Sequence, residues 1–469
     1  MKEFIKSFFY FGLAISLENL LGLGLMPFYT RYFSESDYGT IDLIQSIINI
    51  SIIFGALQLE TALQRYYYDY SGIRKKLFIS NVLGVVTGLS AIITFVLIVF
   101  SNQLSTIFFG DSTNSYILQI SAFQILLSNF NMMGMVLLRF EKLNLKFLSI
   151  VILKTTTTLL FVLYFIFYLD MGIIGYFYAY VLSSFISTIL VIWYIKDFLI
   201  FRKNKFFLKK SLIYSLPQFP ARIGSVLMSQ GNRFFMLHFL SLSAIGLFSV
   251  SLKLSSIMQM IYTAFMMAWG PFMFSQLKNK NHKQVFSLSL PVIASVIFFI
   301  VCIISLFSTE IFKLIVSEKF FEAHKYMGGL SLYFSLFIIK EIIDIGPKYK
   351  EKTKFLSYSF FISLIINFIT LYFLTPLMEL QGVTLSMIIT NIALVAISWI
   401  ISNNLYHIKF NVGLFAFLLV PVLTICIISM YINFTFITRI IIFTVLFLLY
   451  GVIFSLYKKR INNLKIKYI

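Results

Sequence analysis

Apolar residues in this chain do not alternate with polar ones at the period of two expected of a half-buried strand. They run in blocks of roughly 18 to 25 residues separated by short polar stretches. Fourteen blocks stand out, at about 8–29, 40–60, 77–100, 115–138, 147–169, 172–195, 211–239, 245–275, 285–308, 327–346, 355–374, 382–402, 412–431 and 438–457. A helix of about 20 residues crosses the roughly 30 Å hydrocarbon core of a bilayer, whereas a barrel would show ten-residue alternating segments. The pattern predicts an all-α polytopic membrane protein with about 14 transmembrane helices.

Charge then orients the blocks. Of 38 Lys and Arg, 28 fall at the termini and in the loops on one side, while Arg31, Lys313, Lys319, Lys325 and Arg439 occupy the other. Lysine and arginine concentrate in cytoplasmic loops, so both termini are expected in the cytoplasm. The +20 net charge, which in a soluble chain would suggest nucleic acid, is here a topology signal and no nucleic-acid partner is expected. With 59% hydrophobic and only 12% charged residues, no soluble domain is inserted, and the longest external loop is about 308–326. Cys302 and Cys426 lie in apolar blocks and read as buried free thiols. The four scattered histidines suggest no metal site, and the N-terminus reads as an uncleaved first span.

The basic linker KDFLIFRKNKFFLKKS, Lys196–Ser211, divides the chain. Residues 1–200 are expected to form an N-terminal six-helix lobe and 201–410 a second six-helix lobe, with 411–469 supplying a final helix pair and basic tail. An internal repeat agrees with this division. RYFSESDYGT, from Arg31, aligns with HFLSLSAIGL, from His238, at an offset of 207, bringing Ser34/Ser241, Ser36/Ser243 and Gly39/Gly246 into register. An even number of helices per unit implies parallel repeats, related by a pseudo-two-fold axis along the membrane normal.

The seventh block carries the candidate chemistry. Gln218, Arg222, Ser225, Ser229 and Arg233 recur at spacings of one helical face. Arg222 and Arg233, 11 residues or about three turns apart, are expected to project the same way, roughly 16 Å apart along the axis. An arginine in the hydrocarbon core costs about 3 kcal/mol or more unless it meets protein, water or a counter-ion. This face is therefore expected to line a polar, cationic cavity. Pro217 and Pro220 predict a kink at its start, and Gly270–Pro271 a second break in the eighth block. Further polar faces run through the second block (Asp42, Ser46, Asn49, Glu60), the fourth (Ser121, Gln124, Ser128, Asn131) and the eighth (Ser249, Lys253, Ser256, Thr263). Arg222, Arg233, Lys253 and Lys154 are the candidate anion-binding cations; arginine stays charged and presents a planar fork suited to phosphate oxygens. Asn49, Gln124, Asn131, Gln218 and Ser229 are the candidate polar lining. Glu18, Asp42 and Glu60 are candidates for ion coupling. For Glu18 two readings stand: carriage of H⁺ or Na⁺, or a structural salt bridge to a cavity arginine. Lys340/Asp344, spaced i, i+4, read as an ion pair. No phosphate-binding glycine loop ends in Lys-Ser/Thr, which speaks against direct ATP hydrolysis, and no other cofactor is expected.

Several segments carry a family resemblance: PFYTRYFSESDYGTIDL (Pro27–Leu43), ALQRYYYDY (Ala62–Tyr70), LLRFEKLNLKF (Leu137–Phe147), SLPQFPARIGSVLMSQGNRFF (Ser215–Phe235), AWGPFMFS (Ala268–Ser275), and KTKF with Asn367, Pro376 and Gly382. In this order and spacing the chain resembles the Wzx-type polysaccharide (O-antigen) flippases of the multidrug/oligosaccharidyl-lipid/polysaccharide exporter superfamily. Asn232 stands where the family has Asp, so residue 232 offers Arg233 no carboxylate. The resemblance implies two six-helix lobes that alternate access in a bacterial inner membrane. It also implies transport of an undecaprenyl-pyrophosphate-linked oligosaccharide to the periplasmic leaflet, coupled to Na⁺ or H⁺. Membrane lipids, a polysaccharide polymerase and a chain-length regulator are its implied partners. A multidrug or organic-cation exporter of the same superfamily is the alternative, which the excess of mid-span cations disfavours. A membrane-embedded polymerase is less favoured still, because the external loops are short.

Overall fold

The computed structural model describes residues 10, 12, 17–200, 202, 204–277, 279–350, 352, 354–432 and 434–463. Most of the beginning of the first expected span and the last six residues of the tail lie outside them. The described residues form helices and connecting turns, with no strand among them.

In chain order the helices are α1 (Met26–Tyr32), α2 (Glu35–Ala56), α3 (Leu59–Tyr66), α4 (Gly72–Val99), α5 (Ser101–Phe109), α6 (Ser115–Phe140), α7 (Asn144–Val162), α8 (Gly172–Ile195), α9 (Lys205–Ser215), α10 (Phe219–Gln230), α11 (Asn232–Phe239) and α12 (Leu242–Gln276). They continue as α13 (His282–Leu306), α14 (Ser308–Ile315), α15 (His324–Ile343), α16 (Ile345–Tyr349), α17 (Lys354–Leu405), α18 (Val412–Tyr431) and α19 (Phe436–Asn463). Among the described residues, 11 helical stretches are long and apolar enough to cross a membrane. One of them, α17, has 52 residues and is interrupted at Glu379, where φ is 49° and ψ −130°. Asn367 donates to Thr390 Oγ1 at 3.1 Å across this break, so its two halves lie side by side and serve as two spans. With α17 counted as two spans and the interrupted 205–239 segment added, the described residues are in keeping with the pattern's prediction of about 14 transmembrane helices.

The chain divides into two compact units: residues 1–25 with Thr40–Arg233, and Met26–Gly39 with Phe234–Ile469. In the first unit, Leu59, Leu63, Phe78, Val82, Met133, Leu137, Val191 and Phe207 form a buried core. Gly134 lets α6 approach α8, since a Cβ there would stand 2.2 Å from Val191 Cγ1. In the second, Met236, Ile245, Phe248, Leu330, Tyr333, Leu371, Val383 and Met387 play the same part.

The 207-residue repeat has physical counterparts. Within the second unit, α2 and α12 cross at Gly39 and Gly246. A Cβ on Gly39 would meet the Leu242 carbonyl oxygen at 1.9 Å, and one on Gly246 would meet the Glu35 carbonyl oxygen at 2.0 Å. Glu35 and Leu242 are themselves 207 positions apart, so the contact is reciprocal, as at a two-fold axis. The hairpin before α8 has Gly172 at φ 57°, and its repeat mate is Glu379 at φ 49°. Gly175 and Gly382, again 207 apart, each face a carbonyl of the preceding helix, at 3.0 Å from Phe165 and 2.1 Å from Leu374.

Three expectations need correction. The second block ends at Ala56, where left-handed Leu57 and Gln58 turn the chain, so Glu60 belongs to α3 rather than to the span. The arginine-bearing block is not one helix: a 3-10 turn at Leu216–Gln218 precedes α10, and Gly231 separates α10 from α11. Prolines 217 and 220 account for the first interruption, because neither supplies a backbone N–H. No break occurs at Gly270–Pro271, where α12 runs through.

Candidate functional site

The segment α10–α11 belongs to the first unit up to Arg233 and packs antiparallel to α2. Three contacts set the register. Arg233 Nε donates to Asp42 Oδ2 at 2.8 Å, Ser46 Oγ donates to Gln230 Oε1 at 2.9 Å, and the Phe54 and Phe219 rings meet edge to face at 5.6 Å. The α2 positions 42, 46 and 54 share a helical face, which is why one stripe serves all three.

The two arginines part company in this arrangement. Arg233 has a side chain only 4% exposed and donates Nη1 to the Ser229 carbonyl at 2.6 Å and to Asn232 Oδ1 at 2.8 Å, besides its bond to Asp42. The missing aspartate at 232 is thus replaced in space by a carboxylate from the second span. Arg222 is exposed. Its charge reaches Glu60, whose carboxyl is raised by burial and pulled partly back by a backbone hydrogen bond and by Arg222. Glu60 Oε2 is buried and has no hydrogen-bond partner among the described residues. Gly231 lies between a buried, tied arginine and an exposed one.

The other candidates are placed as follows. Glu18 pairs with Lys154 at 3.2 Å, and both side chains are more than a third exposed. The salt-bridge reading of Glu18 therefore finds a partner in Lys154 rather than in a cavity arginine. Asn49 accepts from Gln45 at 3.3 Å on α2, and Gln218 donates to the Tyr214 carbonyl at 3.1 Å. Ser229 donates to the Val226 carbonyl at 3.0 Å while its own carbonyl receives Arg233. Asn131 is spent inside the unit, donating to Ser187 Oγ at 3.0 Å and to the Ser184 carbonyl at 3.3 Å. Gln124 is buried, with Nε2 unpartnered among the described residues. Lys253 is half-buried on α12, in the second unit. Lys340 and Asp344 form the expected pair, both buried. Sequence reasoning missed Gln230, which follows Ser229 and sits off the predicted stripe. It also missed the cluster at the α3–α4 turn, where Glu141 accepts from Lys75 at 2.8 Å and from Tyr67.

A family described as "Polysaccharide biosynthesis protein" matches residues 4–278, more than half of the chain. The chain belongs to that family. No curated protein matches this polysaccharide biosynthesis protein. Among solved structures it is similar to the lipid II flippase MurJ in an inward closed conformation. The identity is 17% over 96% of this chain and 99% of that one, with a TM-score of 0.74. An inward-facing multidrug resistance MATE family transporter of the MOP superfamily is 15% identical over 82% and 93%, with a TM-score of 0.64. The Vibrio cholerae MATE transporter VcmN in its bent form is 13% identical over 86% and 96%, at 0.55. At these identities the likeness is one of fold, and the fold is that of membrane transporters.

Proposed function

We propose that this polysaccharide biosynthesis protein flips an oligosaccharide linked through pyrophosphate to a polyprenyl carrier across the membrane, from the cytoplasmic leaflet outward. The observation that carries the reading is Arg222: an exposed, permanently charged fork on α10, within the seventh apolar block of a chain of the polysaccharide biosynthesis family. A guanidinium binds phosphate oxygens bidentately, and the surrounding low dielectric strengthens the contact. Arg233, at the start of α11 and held by Asp42, is proposed as a positioning residue, and Gln230 at the end of α10, bonded by Ser46, ties the Arg222-bearing helix to α2. The polar stripe at Gln218 and Ser225 offers hydroxyl and amide partners beside it. Glu60, close enough to feel Arg222, is the acid best placed to exchange a proton when an anion arrives, which would link transport to H⁺. The six-plus-six lobe division, residues 1–200 and 201–410, is the frame proposed to rock between the two access states. The fold's kinship with the lipid II flippase MurJ supports this substrate class, since lipid II names a lipid-linked cargo. An organic-cation exporter would want a net acidic lining, which the Arg222 stripe does not provide.

Purified protein in proteoliposomes carrying a fluorescent pyrophosphate-linked oligosaccharide tests the reading. Losing one charge-assisted phosphate contact worth about 1.5–3 kcal/mol slows translocation by about 10- to 100-fold in Arg222→Ala, with Arg222→Lys between the two. Wild-type flipping by Arg222→Ala would sink the assignment.

A further inference from the structure

A second basic site lies in the other unit. There α13 begins at His282, α17 ends at Leu405 and α18 begins at Val412. A cavity of about 410 Å³ is lined by Lys283, Gln284, Ser287, Leu288, His407 and Lys409. We infer that this cavity binds the headgroup of an anionic phospholipid from the surrounding leaflet.

Charge complementarity supports that occupant. Two lysines and a histidine line the cavity, and no carboxylate stands among the lining residues. The Lys283, His407 and Lys409 side chains are exposed, so their charged heads are available rather than buried. The framework is built rather than loose. His282 stacks on Tyr406 with the rings 13° apart and shares a hydrogen bond with its hydroxyl, and Ser287 donates to the Lys409 carbonyl. Lys283 Nζ sits 4.4 Å from the centre of the Tyr406 ring, which holds the ammonium at the cavity edge.

Depth favours a lipid over a soluble anion. The cavity lies at the ends of three apolar helices, where headgroup phosphates lie. Trp399 packs on Phe410 at 5.6 Å and on Phe415 at 5.9 Å beside it, as aromatic residues do at membrane interfaces. Leu288 adds an apolar side chain to the lining. A phosphodiester with attached acyl chains satisfies both ends of such a site, whereas inorganic phosphate satisfies only one. Basic residues just cytoplasmic of membrane helices recognise anionic lipids in this way.

The test uses the full-length protein, delipidated in neutral detergent, with native mass spectrometry counting retained lipid. Phosphatidylglycerol and phosphatidylcholine are offered in equal amounts. The expected result is preferential retention of phosphatidylglycerol, several-fold over phosphatidylcholine. The preference falls to parity in the Lys283→Gln/Lys409→Gln double variant and persists in Lys205→Gln/Lys209→Gln, which removes the same charge from α9 in the other unit. Equal retention of the two lipids by the wild type would overturn the inference, as would equal losses in the two double variants. Displacement of the lipid by millimolar inorganic phosphate would overturn it too, showing a phosphate site indifferent to acyl chains. Circular dichroism and a monodisperse elution profile establish that each variant is folded before its lipid count is compared.

Discussion

Breaking the Asp42–Arg233 pair from its two ends has unequal consequences, and the inequality follows from burial. Asp42→Ala removes the carboxylate from a guanidinium whose side chain is 4% exposed, while its bonds to the Ser229 carbonyl and Asn232 Oδ1 remain. Removing one member of a buried pair costs about 3–5 kcal/mol, because the survivor is an uncompensated charge. Arg233→Ala strands a carboxylate that is 22% exposed and can recruit water, so the cost falls nearer the 1–3 kcal/mol of an unmade hydrogen bond, or about that range. Asp42→Leu with Arg233→Met removes both charges and fills the space, which is often close to neutral. Detergent-solubilised protein, heated and followed by intrinsic fluorescence with recovery of monodisperse material, gives the order. The expected ranking, from least to most stable, is Asp42→Ala, Arg233→Ala, then the double variant near wild type. Two results would refute the reasoning: Arg233→Ala at least as damaging as Asp42→Ala, or single losses that simply add in a doubly substituted protein.

Three further outcomes follow from the geometry. Gly39→Ala and Gly246→Ala each push a methyl into a carbonyl about 2 Å away, so each lowers the yield of folded protein, at a cost of about 1–3 kcal/mol or more. Gly84→Ala, with open space at its Cβ, is neutral or stabilising by comparison in the same melting assay. Glu379→Gly relieves a backbone conformation that side chains resist and raises the melting temperature by the equivalent of about 1–2 kcal/mol; an unchanged or lowered melting point would contradict this. Burial raises the Glu141 carboxyl, but bonds from Lys75 and Tyr67 outweigh it and leave it below the ordinary value. Its contribution to stability is therefore complete above the unfolded carboxylate pKa and is lost as pH falls through the lower folded one. Thermal stability followed from pH 7 down to 3 should fall less steeply in Glu141→Gln than in the wild type.

Span number and helix content were legible because hydrophobic runs and their length are one-dimensional properties. Gly39 and Gly246 were legible too, since a repeat offset is carried by the chain itself. What escaped was pairing at a distance. Asp42 and Arg233 were both singled out, one for ion coupling and one for anion binding, yet 191 residues separate them and no spacing rule joins them. Ser46 was singled out but its partner Gln230, 184 residues away, was not. Local breaks were unevenly legible: Pro217 and Pro220 stand in the first turns of the elements that follow the interruption, where a missing N–H is tolerated, whereas α12 continues through Gly270 and Pro271. Glu379 was invisible for a different reason, since nothing in a glutamate announces a positive φ; only its repeat mate Gly172 hints at it.

The crossing at Gly39 and Gly246 has the form of a homodimer contact written into one polypeptide. In a true homodimer every substitution is felt twice, once in each subunit, and neither copy can specialise. Joining the copies in a single chain removes that doubling while preserving the close approach. The positions just beyond the crossing show the freedom gained. Asp42 and Ser46 correspond, 207 residues later, to Ser249 and Lys253, so the first copy carries an acid and a hydroxyl where the second carries a hydroxyl and a cation. A symmetric crossing thereby supports an asymmetric distribution of charge in the positions beside it.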